Sequence, residues 1–163
     1  MKLHGSCHCG KVSFTVNSVN FYPYQLCYCS ICRKTQGGGG FAINLGADAK
    51  SLKVKGKKFI SVYRAKVSNP DEKTYQSSGE RNFCKICGSG LWLYDPDWPE
   101  LVHPFASVID TPLPVTPHKT HLMVEFKAPW VKLEKKRGDK IFQRYPKESI
   151  QEWHDRVIRH KKN

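Results

Sequence analysis

For most of its length the chain changes between apolar and polar side chains with a short period. Lys11-Val12-Ser13-Phe14-Thr15-Val16 alternates strictly, which puts every second side chain on one face of an extended strand. Similar runs recur at 41–45, 52–55, 58–63, 74–77, 91–94, 105–109 and 120–126, separated by short turn-forming stretches. Between 50 and 66 lysines interleave with Leu52, Val54, Phe59, Ile60, Val62 and Tyr63, predicting strands with one wet and one buried face. From 95 to 117 prolines are frequent, and loop is expected around the short strand at 105–109. Only near the end does the period lengthen. Ile150, Trp153, Val157 and Ile158 share one helical face, with Pro146 and acidic residues near the start and basic ones near the end. The pattern predicts an amphipathic helix over about 147–160 that docks on the domain or on a second subunit, which would make a homo-oligomer.

A chain of 163 residues is long enough for one real core, and 39% hydrophobic content suits a globular protein. No apolar run approaches the roughly 18–20 residues of a membrane span, so no membrane partner is expected. Met1 to Cys7 lacks the apolar centre of a signal peptide, and the expected location is the cytoplasm, with the nucleus left open. The net charge of +13 fits a solvated lysine-rich surface, and equally an attraction for anionic small molecules or nucleic acid. No recognised nucleic-acid-binding motif accompanies the basic strands, so nucleic acid is not the favoured partner.

The cysteines change the picture most. Seven of them stand as Cys7-x-Cys9, Cys27-x-Cys29-x-x-Cys32 and Cys84-x-x-Cys87, the spacing of metal ligands rather than of a disulfide framework. In an extended segment Cys27 and Cys29 fall on one face, and a Cys-x-x-Cys turn brings Cys32 beside them. Three thiolates are one ligand short of tetrahedral zinc, and an open fourth position is the mark of a catalytic rather than a structural site. Seven thiols divide naturally into a closed set of four and an open set of three. Spacing alone does not fix the grouping, since Cys7 and Cys9 could join Cys27 and Cys29. A closed site of Cys7, Cys9, Cys84 and Cys87 has the advantage of tying together the two ends of a sheet. His8 should point away from its neighbouring thiols. His103, His118 and His121 are possible ligands for a second site, but their spacing makes no compelling set, and surface positions are expected for them.

Arg33 and Lys34 follow the three-cysteine turn at once. They read either as cations that favour the thiolate forms or as a solvated basic turn. The run Gly37-Gly38-Gly39-Gly40 matches neither a Walker A loop nor a dinucleotide fingerprint. It is either a flexible connection or a loop that lets backbone N–H groups approach a ligand.

Gly5-Ser6-Cys7-His8-Cys9-Gly10, Cys27-Tyr28-Cys29-Ser30-Ile31-Cys32-Arg33-Lys34, Arg81-Asn82-Phe83-Cys84-Lys85-Ile86-Cys87-Gly88-Ser89-Gly90-Leu91 and Lys127-Ala128-Pro129-Trp130 together carry a resemblance. The sequence resembles the glutathione-dependent formaldehyde-activating enzyme family, which also includes centromere protein V. The resemblance covers roughly residues 3–133, so residues 1–133 are expected to form the zinc domain and 134–163 a basic extension with the helix. Tyr145-Pro146 and Trp153-His154 look like the extension many members carry. The resemblance implies a mainly β, zinc-stabilised fold of the β-tent type. It implies a structural zinc on Cys7, Cys9, Cys84 and Cys87 and a catalytic zinc on Cys27, Cys29 and Cys32. The implied reaction, a carbon–sulfur lyase reaction in reverse, condenses glutathione with formaldehyde to S-(hydroxymethyl)glutathione. Arg33, Gly38 and Gly39 are then the candidates for seating an anionic thiol co-substrate such as glutathione. One local departure is Tyr28, where a histidine is common. Two other readings stand beside the enzyme. One is a non-catalytic, zinc-stabilised basic module that binds nucleic acid or acidic protein surfaces. The other, a redox role for the thiols, is disfavoured by the lack of an isolated cysteine with a separate resolving partner.

Overall fold

The structure, a computed structural model, describes residues 1–36, 38–68 and 73–162, with the backbone alone for 159–162. Its architecture is mainly β, as expected, with three sheets among the described residues and a helix at the C-terminal end. Gly37 of the glycine run lies outside the described residues.

The first sheet pairs β1 (Lys2–Ser6) and β2 (Ser13–Asn17) as a hairpin, with β6 (Lys53–Lys55) on the far side of β2. The alternation in β2 does what the sequence pattern requires: Phe14 and Val16 are buried while Ser13 and Thr15 are not. β1 is missing from the sequence reading because His4, Gly5 and Ser6 dilute its pattern. It forms because Leu3 and Gly5 supply the buried positions, and Gly5 is needed there. A Cβ on Gly5 would stand 2.4 Å from the Phe14 ring.

A five-stranded sheet runs in the order β5 (Ala47–Asp48), β10 (Leu101–Pro104), β9 (Gly90–Tyr94), β8 (Tyr75–Cys84), β7 (Ile60–Val67). β8 reaches well beyond the expected 74–77. In β7, an edge strand, the expected wet and buried faces do not separate: Val62 and Tyr63 lie on opposite faces and both are exposed, so water reaches both sides of the strand there. The expected strand at 105–109 is a 3-10 turn at Ala106–Val108. The main core lies between these two sheets, built from Leu3, Val12, Phe14, Val16, Leu45, Leu91, Trp92 and Val102.

The third sheet carries the site. β3 (Gln25–Cys27) lies between β4 (Ala42–Ile43) and β11 (Thr120–Leu122), and β12 (Lys140–Ile141) borders β11. β3 and β11 are parallel, with Leu122 opposite Cys27. After β11 the chain turns at Met123, whose φ of 58° is left-handed, into a 3-10 turn at Val124–Phe126. The strand expected over 120–126 therefore stops at Leu122.

α1 (Ser30–Thr35) follows β3, and α2 (Ile150–Lys162) ends the described chain. Ser149 and Glu152 form a reciprocal cap at the start of α2. The Ser149 N–H donates to the Glu152 carboxylate at 2.7 Å, and the Glu152 N–H to the Ser149 hydroxyl at 3.2 Å. That cap, rather than Pro146, sets the helix start. α2 docks on its own chain. Trp153 stacks on Tyr24 with centroids 3.7 Å apart, and the Tyr22 N–H donates to His154 Nε2 at 3.0 Å. Tyr22 and Tyr24 lead into β3, so the tail braces the strand that delivers the three-cysteine turn. No helix among the described residues is long and apolar enough to cross a membrane.

Candidate metal centres and the open three-thiol site

The fold gathers the seven cysteines into two groups. Sγ atoms of Cys7, Cys9, Cys84 and Cys87 all lie within 4.8 Å of one another, as do those of Cys27, Cys29 and Cys32. The alternative pairing of Cys7 and Cys9 with Cys27 and Cys29 does not occur.

The four-thiol group joins the hairpin of the first sheet to the β8–β9 turn of the second. Cys7 leaves β1, Cys84 ends β8, and Cys87 sits in the turn before β9. A tetrahedron with zinc–sulfur bonds of about 2.3 Å has edges of roughly 3.8 Å. The Cys7–Cys9 and Cys9–Cys84 separations of 3.5 and 3.8 Å match that edge and are far too long for disulfides. The Ser89 hydroxyl, 3.3 Å from the Cys87 sulfur, is the foremost influence pulling that thiol down to about 5. The donor set fits a closed metal site.

The three-thiol group is built from a strand end and a helix start. Cys27 closes β3, Cys29 caps α1, and Cys32 lies in the first turn of α1, its N–H donating to the Cys29 sulfur at 3.3 Å. The Cys-x-x-Cys turn is thus the beginning of a helix, which the sequence reading did not find. Cys27 and Cys29 project to one side, packed with Cys32, Ala42, Leu122 and Met123. Leu26 and Tyr28 project to the other, among Phe41, Ala128 and Val131.

Three thiols this close, Cys27 and Cys32 buried and Cys29 partly so, cannot all ionise without a cation. Hydrogen bonds from Cys27 and then Cys32 pull Cys29 down to about 2. The same contact with Cys29, followed by that with Cys32 and burial, pushes Cys27 up. At Cys32 the hydrogen bond with Cys27 lowers the pKa, but Cys29 and burial outweigh it and hold the thiol near 11. Arg81 also acts on Cys32, favouring its thiolate. Arg81 is 8% exposed, and its Nη1 has no hydrogen-bond partner. A buried guanidinium with a free donor beside a thiol cluster suits a centre that carries negative charge.

Tyr28 lies off the thiol-facing side. Its hydroxyl is 2.9 Å from His121 Nδ1, and the rings stack at 18° with centroids 5.8 Å apart. His121, expected at the surface, is 2% exposed, because it follows Thr120 in β11 and faces the Tyr28 side of the neighbouring strand. His8 is exposed, as expected. His103 is partly buried, with Nδ1 3.0 Å from the Leu45 carbonyl oxygen.

An open cavity of about 520 Å³ lies beside α1. Arg33, Lys34, Gln36 and Gly38 line one wall, and Gly88, Ser89 and Gly90 of the four-thiol knuckle line another. Gly39 is not part of the lining; a Cβ there would meet the Phe41 ring at 3.3 Å.

Residues 2–125 match the family model described as glutathione-dependent formaldehyde-activating enzyme. The chain belongs to the glutathione-dependent formaldehyde-activating enzyme family. A Halomonas elongata relative, named "Putative glutathione-dependent formaldehyde-activating enzyme", is 54% identical over 157 residues, covering 96% of this chain and 97% of that protein. A crystal structure of a Rhodobacter sphaeroides protein aligns with a TM-score of 0.50 and 26% identity, covering 70% of this chain and 92% of that one. The family match covers all seven cysteines, Arg81 and the cavity residues, but stops short of β12 and α2.

Sequence reasoning missed two features of the site. Arg81 was legible only as part of the Arg81-Asn82-Phe83-Cys84 motif, with nothing to say that it is buried near Cys32. The Tyr28–His121 pair joins residues 93 apart, and no local pattern signals it.

Proposed function

We propose that the protein condenses glutathione with formaldehyde to S-(hydroxymethyl)glutathione, or acts on a related thiol adduct, as a zinc-dependent carbon–sulfur lyase working in the synthetic direction. The observation that carries the reading is the division of seven thiols into a complete set of four and an incomplete set of three. Cys7, Cys9, Cys84 and Cys87 would hold a structural ion that ties two sheets together. Cys27, Cys29 and Cys32 would hold a catalytic zinc, whose chemistry is to accept a thiol at its open position and favour the thiolate.

The chain's own groups support that role. A strand end and a capped helix fix the three sulfurs before any co-substrate arrives, so little reorganisation remains. Arg81 offsets the negative charge that a further thiolate would add. Arg33, Lys34 and the backbone at Gly38 offer cations and an approachable main chain for the carboxylates of glutathione, with Gly39 adjoining them.

Metal content and a cobalt spectrum test the reading. Two zinc ions per chain are expected, and one in Cys29→Ala. The cobalt-substituted protein should change its spectrum when glutathione is added, and Cys29→Ala should not. If the wild-type spectrum ignores glutathione while polyanion binding falls steeply with salt, the non-catalytic binding module is the better account.

A further inference from the structure

Tyr145 presents a large, exposed aromatic side chain from a stretch of backbone that is held in place. It is 74% exposed, yet the backbone on both sides of it is constrained. Before it, the Met123 N–H donates to the Arg144 carbonyl at 3.1 Å, and the Val124 and Glu125 N–H groups donate to the Phe142 and Gln143 carbonyls at 3.3 Å. The Arg144 guanidinium pairs with the Glu125 carboxylate at 2.6 Å and lies 5.9 Å over the Phe126 ring. After it, Pro146 biases Tyr145 toward extended backbone.

The anchor point is what gives this tyrosine a role. Met123, bonded to Arg144, packs with Cys29 in the thiol cluster, and Leu122 stands opposite Cys27. Tyr145 therefore begins where the tail leaves the wall of the three-thiol site. Partial desolvation, then the charges of Cys27, Cys29 and Cys32, hold its phenol above the ordinary range. Its placement rests on the Met123–Arg144 backbone bond and on the packing of Met123 with Cys29, which bring the tail to the edge of the three-thiol site.

We propose that Tyr145 is a catalytic residue of the three-thiol site, its hydroxyl bonding the aldehyde oxygen and giving that oxygen its proton as the carbon–sulfur bond forms. This rests on the condensation reading above. The glutathione sulfur supplies the electron pair for the new bond to the formaldehyde carbon. The carbonyl π pair moves onto oxygen, which takes the Tyr145 proton, and the exposed phenolate regains a proton from solvent. The thiol's own proton leaves to solvent when the thiolate forms, so one thiol and one aldehyde give one hydroxymethyl thioether. His121 is unsuited to this task because it faces Tyr28 on the other side of β3, and Arg81 does not release a proton. Tyr145 lies beyond the 2–125 family match, so the assignment comes from the fold of the tail.

Two-dimensional exchange NMR on the zinc-loaded full chain measures interconversion of glutathione and S-(hydroxymethyl)glutathione. Tyr145→Phe should lower the catalysed rate about 100-fold. The glutathione affinity by calorimetry and the zinc content should not change. A variant rate within about threefold of wild type, far below the usual effect of losing a general acid, overturns the role of Tyr145 and leaves the condensation reading standing. A wild-type rate equal to the uncatalysed one overturns the reading itself. A readout free of turnover decides the placement separately. Tyr145 ring signals, identified by their loss in Tyr145→Phe, should shift when glutathione is added; signals that do not move overturn the proposal.

Discussion

Removing the Trp153 side chain gives the most demanding test of how the tail is attached. Trp153 is 2% exposed, stacked on Tyr24 at an interplanar angle of 12° and edge-on to Tyr22 at 5.9 Å. A buried tryptophan removes about 150–250 Å² from water, which at about 25 cal/mol/Å² is roughly 4–6 kcal/mol. Alanine keeps a little of that burial and the neighbours relax into part of the space, so the net loss should be about 3–5 kcal/mol. That is a large share of the total stability of a domain this size, about 5–15 kcal/mol. At about 2–4 °C per kcal/mol, Tm should fall by roughly 10 °C. Urea denaturation at a fixed excess of zinc measures the loss with metal linkage held constant. Trp153→Phe should recover about half of it, because one stacked ring remains. A Trp153→Ala loss below about 1 kcal/mol would refute the reasoning, since it would mean that α2 is not held by this stack in solution.

Four further outcomes follow from the same geometry. His154 is fully buried, with Nε2 accepting from the Tyr22 N–H and Nδ1 2.8 Å from the Ile150 carbonyl oxygen, and burial lowers its pKa. The unfolded chain therefore binds the proton first, so stability is full above about pH 6.5 and falls as pH drops from there toward the folded pKa. Urea midpoints between pH 8 and 5.5 should show that slope, and a His154→Gln variant with an equal slope would show that another group causes it. Gly56 has φ of 79°, and a Cβ there would stand 1.9 Å from the Lys11 carbonyl oxygen. Gly56→Ala should therefore cost at least about 2 kcal/mol by urea denaturation. Arg81→Met should weaken zinc at the three-thiol site by about 10-fold to 100-fold in chelator competition while leaving the four-thiol site unchanged. Cys84→Ala should lose one zinc per chain and most of its thermal stability, because its sulfur belongs to the group that joins two sheets.

The parts of this protein that were legible in the sequence are those governed by local periodicity and by the spacing of reactive side chains. The alternation at 11–16 marked β2, and the longer period at 150–158 marked α2, because each pattern follows from one element burying one face. The spacing Cys27-x-Cys29-x-x-Cys32 could be read as three ligands on one side, since alternate positions in an extended segment and a Cys-x-x-Cys turn are short-range geometry.

Other features depended on contacts between distant residues. Spacing left open whether Cys7 and Cys9 belonged with Cys84 and Cys87 or with Cys27 and Cys29. The path of β1 and β8 decided it, by bringing the hairpin end against the β8–β9 turn. His121 is buried because β11 lies parallel to β3, and parallel pairing of strands far apart in sequence leaves no local signature. Tyr145 gains its position from backbone bonds to residues about twenty places earlier in the chain. The sequence by itself determined which side chains could do chemistry. Only the tertiary structure decided which of them meet, because that depends on how strands remote in the chain register against one another.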